Sequence, residues 1–279
     1  MRGRDTGGAV LHGPALLFCP GDRPDRFGKA LAAADSVILD LEDAVGPDAK
    51  DAARDAVVAA LPGLDLARVL VRVNAPGTPW HDADVRALAP FPEVTVLLPM
   101  VAAPEDVAAL APRPVIALCE TARGVLAAPS IATAENCAGL MWGSEDLLAD
   151  LGARPVRLPG GGYRPALQEA RTRILYAARA AGRAPVDTVL VDIDDLDTLA
   201  ADSADAAADG YVAKACIHPS QAETVRHAFR PDDRAVAWAR EVVDEAAARP
   251  GVFRLRGQMI DAPVVAYARE VLRRAGVTG

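Results

Sequence analysis

The 279-residue chain has no apolar run of the ~18–20 residues that a transmembrane helix needs, so we expect no membrane-spanning segment. It also lacks an excess of positive charge. Its formal net charge is −8, which disfavours a nucleic-acid or anionic-membrane partner. The apolar stretch near the start is short and is interrupted by Gly and Pro, unlike a signal peptide. We therefore expect a cytoplasmic protein.

Cysteine is scarce, and the four residues, Cys19, Cys119, Cys137 and Cys216, form no CxxC pair. Most of their flanks are strand-like, so we predict that they are small buried hydrophobic residues in a reducing compartment.

Three consecutive glycines (160–162) are not followed by the GK[ST] of a phosphate-binding loop, which indicates only a flexible segment.

Apolar content is high, with 51% hydrophobic and 24% charged residues, so the chain can bury a large core. Strand-like runs alternate with Ala-rich helical stretches. Most are continuously apolar, as in parallel strands that are covered on both faces. Eight such units predict an α/β fold, a (β/α)8 TIM barrel, with a doubly wound open sheet as the alternative. The runs are ALLFC (15–19), SVILDL (36–41), RVLVRVN (68–74), VTVLLPM (94–100), VIALCE (115–120), GLMWG (139–143), DTVLVDI (187–193) and VAKACIHP (212–219).

Two segments interrupt this alternation. The Pro/Gly-rich residues 153–164 are typical of a loop at an active site. After the eighth strand, a charged helix (231–248), a hairpin-like piece and one more amphipathic helix end the chain, which is too little for an independent domain. We therefore predict a catalytic barrel over 1–230 and a C-terminal helical lid or oligomerisation arm over 231–279.

Carboxylates follow the predicted fifth and sixth strands. Because catalytic residues of barrels lie at the carboxyl ends of the strands, Glu120 and Asp146 can converge. Two adjacent carboxylates repel each other unless one is protonated or a cation lies between them. Two carboxylates with water and substrate are a usual Mg²⁺ site. Alternatively, Asp146 or Glu145, with Ser144, caps the helix that begins here. The spacing does not distinguish these interpretations.

The third strand predicts a buried arginine. Period-two alternation places Arg72 and Asn74 on one face, and a buried guanidinium needs an anionic partner, such as a substrate carboxylate or enolate. Asp40, Glu42 and Asp43 follow the second strand. They either orient water molecules around a metal or cap the next helix.

The motifs occur together in one order: LFCPGDRPDRFGKA, VILDLEDAV, VRVN, ETARG, WGSEDLLADLG and CIHPSQ. In this order the chain resembles the citrate lyase β-subunit-like proteins of the HpcH/HpaI aldolase/citrate lyase family, which are similar to malyl-CoA and citramalyl-CoA lyases. The resemblance runs from about residue 15 to residue 273.

The resemblance implies Mg²⁺, or Mn²⁺ in its place, held by Glu120 and Asp146. It implies that Arg72 contacts substrate oxygens near the metal. Asp261 matches a tail aspartate that related enzymes lend to a neighbouring subunit. Family members are commonly trimers or hexamers, so the resemblance also implies a homo-oligomer.

Phe18, Pro20, Arg23 and Lys29 lie where the family builds part of its coenzyme A or substrate pocket. The implied function is a carbon–carbon lyase that cleaves a malyl-, citramalyl- or hydroxymethylglutaryl-CoA type of thioester to acetyl-CoA and an oxo acid. Three alternatives remain: malate-synthase-like condensation with thioester hydrolysis, a true citrate lyase β-subunit, and a non-catalytic CoA-binding subunit.

The chain departs from the family after the fourth strand. The family usually has Pro-Lys followed by a Glu two residues later, whereas this chain has Met100 and Ala102. Because both polar partners are lost together, we expect the fold to tolerate the change. We expect the loss of these two polar side chains to affect activity or substrate choice more than the fold.

Overall fold

Eight parallel strands close into a barrel in the order β1 to β8 in the computed structural model of the protein, which describes residues 11–249 and 251–277. The predicted (β/α)8 barrel is confirmed, and the open-sheet alternative is wrong. The strands are β1 (Ala15–Pro20), β2 (Ser36–Asp40), β3 (Val69–Arg72), β4 (Thr95–Leu98), β5 (Val115–Cys119), β6 (Cys137–Trp142), β7 (Ala184–Asp187) and β8 (Ala213–Cys216).

Helices follow the strands along the chain, with two of them, α6 and α7, between β6 and β7. They are α1 (Pro24–Ala33), α2 (Lys50–Ala60), α3 (His81–Ala87), α4 (Pro104–Ala108), α5 (Ala122–Ile131), α6 (Ser144–Asp150), α7 (Pro165–Ala180), α8 (Leu196–Asp209) and α9 (Pro219–Phe229).

The barrel interior is filled by alternate residues of the strands, including Leu16, Ile38, Leu70, Leu118 and Met141. The intervening residues are buried against the helices, which explains why the strand sequences are continuously apolar. The four cysteines are buried and free, as predicted. No helix among the described residues is long and apolar enough to span a membrane.

The seventh strand lies earlier in the chain than predicted. The sequence favoured 187–193, but β7 is Ala184–Asp187, and residues 188–195 form a loop in which Asp192 and Asp194 are exposed. Asp187 is the last residue of the strand, and its fully buried carboxylate accepts hydrogen bonds from Trp142, Arg171 and Lys214. Asp187, and not the later aspartates, is therefore the acid at the end of this strand.

The chain divides into two compact units at Arg226 and His227. The smaller contains α10 (Asp233–Ala248), an antiparallel hairpin of β9 (Phe253–Leu255) and β10 (Gln258–Ile260), and α11 (Ala262–Arg274). Its predicted hairpin and final helix are confirmed, and it has a small core of its own that includes Val242, Ile260 and Leu272. The roles predicted for 1–230 and 231–279 stay predictions.

Candidate metal-binding active site

A cavity of about 380 Å³ opens at the carboxyl ends of the barrel strands. The charged part of the lining is Asp40, Asp43, Arg72, Glu120, Glu145 and Asp146. The apolar part of the lining is Phe18, Leu118, Met141, Val189 and Ile217. Most of the acids predicted at strand ends thus share a cavity with one arginine and several apolar side chains.

Glu120 and Asp146 converge beside Gly143. A Cβ atom at Gly143 would lie 2.7 Å from Glu120 Oε2 and 3.7 Å from Asp146 Oδ2, so both oxygens border the same small space. Gly143 has φ −113° and ψ 119°, which any residue can adopt, so its backbone does not require glycine. Glycine is required here because a side chain would enter the space next to the two carboxylates. The sequence contained this signal as the glycine of WGSED, but only the side-chain positions give it meaning.

Glu120 is held by a backbone donor. Its Oε1 accepts the N–H of Met100 at 2.9 Å, which leaves Oε2 facing the space beside Gly143. Met100 has φ 55°, a left-handed conformation that is uncommon for a residue other than glycine. Burial, together with the charge of Asp146, raises the pKa of Glu120 to about 9. A carboxyl in this state is stabilised in its charged form by a cation.

Asp146 lies in the first turn of α6, where a negative charge is favoured by the helix dipole. The alternative that Asp146 or Glu145 caps the helix through a hydrogen bond is not what the structure contains, because the N-cap is Gly143 and no side chain of the helix start makes a cap bond. Asp146 remains available at the cavity.

Arg72 is anchored by Asp40. Its Nε donates to Asp40 Oδ1 at 2.7 Å and its Nη2 donates to Asp40 Oδ2 at 2.6 Å, with both side chains buried. Its guanidinium carbon lies 4.8 Å from the centre of the Phe18 ring. Burial opposes the charge, but the bonds to Asp40 outweigh it and raise the pKa of Arg72. The guanidinium is a fixed positive charge on the cavity wall.

The loop after β2 covers the remaining nitrogen of the arginine. Arg72 Nη1 lies 2.9 Å from Glu42 Oε2 and 3.1 Å from Asp43 Oδ2. Lys50 Nζ fixes this loop by donating to the carbonyls of Leu41 and Glu42 at 2.8 and 2.6 Å. Burial outweighs the nearby arginine and raises the pKa of Glu42 to about 8.

Asp40 holds the loop after β2 in place by hydrogen bonds, and it does not cap a helix. In addition to Arg72, it accepts the backbone N–H groups of Glu42 at 2.9 Å and Ala44 at 3.1 Å. Asn74, which the alternation placed beside Arg72, lies beyond the end of β3, and its side chain donates to Asp84 at 2.7 Å. It is therefore part of the support of the loop after β3.

The sequence does not predict that two hydroxyl residues line the cavity. Ser144 and Thr188 both line it, and the N–H of Ser144 donates to Thr188 Oγ1 at 3.2 Å. The carbonyl of Thr188 accepts Lys214 Nζ at 2.8 Å, and that ammonium also lies 2.9 Å from Asp187. Since β7 was placed too late in the sequence, Thr188 was assigned to the interior of a strand.

Some of the predicted site residues lie elsewhere in the described structure. Phe18 and Pro20 line the cavity, whereas Arg23 pairs with Asp25 at 3.2 Å and Lys29 is exposed on α1. Residues 153–164 contribute nothing to the cavity lining. Their Tyr163 is instead buried against the ring of Trp142 at 5.2 Å. Arg154 of this loop lies 3.7 Å from Glu145 of the cavity, and an active-site role for residues 153–164 stays a prediction.

Asp261 belongs to the smaller unit, where it caps α11 by accepting the N–H of Val264 at 3.2 Å. Within the described residues, no cluster of three or more His, Cys, Asp or Glu side chains is arranged to hold a metal ion. Glu120 and Asp146 offer two converging carboxylates, and oxygen donors of this kind could hold Mg²⁺ together with water and a ligand.

The fold and the site together define a (β/α)8 barrel with two converging carboxylates and one anchored guanidinium at the carboxyl ends of its strands. The model of the HpcH/HpaI aldolase/citrate lyase family matches residues 15–219. The chain belongs to this family.

Relatives of known name cover nearly the whole chain. A citrate lyase subunit beta-like protein of Mycobacterium tuberculosis (strain ATCC 25618 / H37Rv) is 48% identical over 264 residues, which are 95% of this chain and 96% of that protein. A (3S)-malyl-CoA thioesterase of Cereibacter sphaeroides (strain ATCC 17029 / ATH 2.4.9) is 34% identical over 275 residues, 94% of each chain.

A solved structure has the same fold along its whole length. The crystal structure of protein CitE from Mycobacterium tuberculosis in complex with magnesium, acetoacetate and coenzyme A superposes with a TM-score of 0.89. It is 48% identical in sequence, and the match covers 96% of this chain and 100% of that chain.

Proposed function

We propose that the protein is a Mg²⁺-dependent carbon–carbon lyase that cleaves a carboxylated β-hydroxyacyl-CoA to acetyl-CoA and an oxo acid. The observation that carries the proposal is the convergence of Glu120 and Asp146 on the space beside Gly143, in the cavity that also contains Arg72. The relative crystallised with magnesium, acetoacetate and coenzyme A supports the same ligand classes.

The donor set fits Mg²⁺, or Mn²⁺ in its place. Glu120 Oε2 and an oxygen of Asp146 are hard anionic donors that follow adjacent strands, and a cation between them would offset both their repulsion and the cost of burying the Glu120 charge, which together raise the pKa of Glu120. When bound there, the ion supplies Lewis-acid polarisation of a substrate oxygen. The Met100 N–H on Oε1 predisposes Glu120 to bind through one oxygen.

Arg72 supplies the second element of the chemistry. Carbon–carbon cleavage of a β-hydroxyacyl thioester leaves an enolate, and a fixed guanidinium stabilises negative charge as it develops. Because Asp40 already holds the guanidinium in place, little reorganisation is needed during the reaction. Binding an anion on Nη1 requires displacing Asp43, whose side chain is 67% exposed.

Asp261 is the proposed acid–base residue, donated by the C-terminal unit of a neighbouring copy in a homo-oligomer. Its carboxyl would protonate the enolate carbon on cleavage or remove that proton from acetyl-CoA in the reverse direction. Phe18 and Pro20 at the cavity, with Arg23 and Lys29 on the adjoining loop and helix, are the proposed coenzyme A contacts. The apolar lining residues of the cavity suit the hydrocarbon part of the acyl group.

The test is release of acetyl-CoA from malyl-, citramalyl- and hydroxymethylglutaryl-CoA by the full chain, with Mg²⁺ and with excess EDTA. We expect the protein to cleave at least one of these thioesters. EDTA should abolish this turnover, and Mg²⁺ should restore it. No metal-dependent cleavage of any of the three would contradict the proposal.

A thioesterase is the second candidate, since the chain is 34% identical to a (3S)-malyl-CoA thioesterase. A lyase releases acetyl-CoA and no free thiol, whereas a thioesterase releases free CoA. Two measurements on malyl-CoA separate the activities. A chromogenic disulfide reports the release of free thiol, and chromatography reports the formation of acetyl-CoA. The same thiol assay with glyoxylate and acetyl-CoA tests condensation followed by hydrolysis.

A further inference from the structure

The start of α6 has a conflict between two requirements. Residue 143 is the N-cap, the position where Ser, Thr, Asp or Asn would normally accept an N–H of the first turn. A side chain at this position would displace the Glu120 carboxylate, because its Cβ would lie 2.7 Å from Glu120 Oε2 and in the space that the two carboxylates border. The helix that carries Asp146 therefore cannot be capped by its own N-cap residue.

A residue from another strand takes over the capping role. Thr188, directly after β7, accepts the N–H of Ser144 on its Oγ1 at 3.2 Å. Ser144 is the first residue of α6, and Asp146 is two residues further on. Thr188 is 1% exposed and Ser144 is 2% exposed, so water does not compete with this bond.

Thr188 is itself fixed by the adjoining strands. Its carbonyl accepts Lys214 Nζ of β8 at 2.8 Å, and Lys214 also donates to Asp187 of β7 at 2.9 Å. Asp187 accepts Trp142 Nε1 of β6 at 2.8 Å. The position of the Thr188 hydroxyl is therefore fixed by hydrogen bonds that join three successive strands of the barrel.

We propose that Thr188 is a positioning residue for Asp146: it caps α6 from β7 in place of Gly143 and thereby sets the position of the cation-binding carboxylate. This inference rests on the proposed role of Asp146 as a cation ligand. Residues that orient metal ligands through hydrogen bonds commonly change metal affinity when they are replaced.

The experiment uses the full chain with Thr188→Val, which is nearly isosteric and removes the hydroxyl, and Thr188→Ser, which keeps it. Mn²⁺ binding is measured by electron paramagnetic resonance, and amide exchange of Ser144 is measured by NMR on the metal-free protein. We expect Thr188→Val to weaken Mn²⁺ binding about tenfold and to reduce protection of the Ser144 amide, and Thr188→Ser to restore both.

A matched control separates positioning from loss of stability. Asp195→Ala removes the N-cap of α8, where Asp195 Oδ1 accepts the N–H of Thr198 at 3.0 Å. It should lower stability by an amount similar to Thr188→Val, and it should leave the Mn²⁺ affinity unchanged.

Three results would overturn the inference. One is unchanged protection of Ser144 in Thr188→Val, and another is unchanged Mn²⁺ affinity despite lost protection. The third is equal loss of affinity in Asp195→Ala. If the wild type itself binds no Mn²⁺, the proposed cation site fails, and the positioning role fails with it whatever the amide exchange shows.

Discussion

Arg72 and Asp40 meet through two hydrogen bonds, Nε–Oδ1 at 2.7 Å and Nη2–Oδ2 at 2.6 Å, and both side chains are buried. The same carboxylate accepts two backbone N–H groups of the loop after β2. One aspartate therefore fixes both the guanidinium of the cavity and the loop that carries Glu42 and Asp43.

This pairing predicts a large loss of stability in Asp40→Asn. An amide cannot accept both arginine N–H groups, and the guanidinium loses its fully buried counter-charge and keeps only the contacts of Nη1 to Glu42 and Asp43, which costs about 3–5 kcal/mol. Asp43→Asn makes the same charge change on the same guanidinium but at an exposed side chain, so it should cost at most about 1 kcal/mol. Urea unfolding of both variants checks the difference. Equal losses would show that burial of the Asp40 pair does not set its contribution.

Gly143→Ala should reduce cation binding while leaving the fold in place. The added methyl would lie 2.7 Å from Glu120 Oε2, so Glu120 must move away from the space beside Asp146. We expect Mn²⁺ affinity to fall by at least about tenfold, measured by isothermal titration calorimetry. The control is Gly46→Ala, since a Cβ at Gly46 meets nothing within 4 Å and its φ is −65°. Unchanged affinity in Gly143→Ala would place the cation elsewhere.

Glu42 predicts a specific dependence of stability on pH. Burial raises its pKa from 4.5 to about 8 in the folded protein. Between these two pH values, the carboxyl is protonated in the folded state and ionised in the unfolded state. The stability that this carboxyl contributes is present below about pH 4.5 and is lost as pH rises through about 8.

Glu42→Gln removes this titration. In metal-free protein, the wild type should therefore lose stability relative to Glu42→Gln from pH 5 to pH 8, by roughly 3–4 kcal/mol. Chemical denaturation at several pH values in EDTA measures it. Glu105→Gln, at an exposed glutamate of α4, controls for the change in net charge. A stability difference between wild type and Glu42→Gln that does not vary with pH would contradict the raised pKa.

Asp261→Asn separates the chemical role of this residue from its capping role. Asparagine is as good an N-cap as aspartate, so the bond to the N–H of Val264 and the stability of α11 should be kept. If Asp261 transfers the proton, turnover should fall at least about 100-fold, because general acid–base catalysis contributes on this scale. Turnover within twofold of the wild type would remove Asp261 from the mechanism.

Mixing two inactive variants tests where Asp261 acts. Chains with Glu120→Gln lack a cation ligand but keep Asp261, and chains with Asp261→Asn have the reverse defect. If Asp261 serves the cavity of a neighbouring copy, co-refolded mixtures should recover part of the acetyl-CoA release. No recovery in mixtures that have exchanged subunits would assign Asp261 to the cavity of its own chain.

The sequence by itself determined the barrel and the acids of its mouth. Continuous apolar runs such as VILDL and VIALC indicate strands covered on both faces, and their alternation with Ala-rich helices admits few architectures. Because parallel strands share a carboxyl end, Glu120 and Asp146 could be paired before any coordinates. The seventh strand failed this reasoning, since APVD is short and contains proline, whereas the more apolar TVLV that follows is a loop.

Only the tertiary structure decided how the site is held together. That Gly143 must lack a side chain, that Met100 donates its N–H to Glu120, and that Thr188 caps a helix 44 residues before it depend on barrel closure and strand register. The physical reason is range. Local periodicity fixes which face of a strand a residue occupies, but contacts between strands depend on distances that no segment of the chain encodes alone.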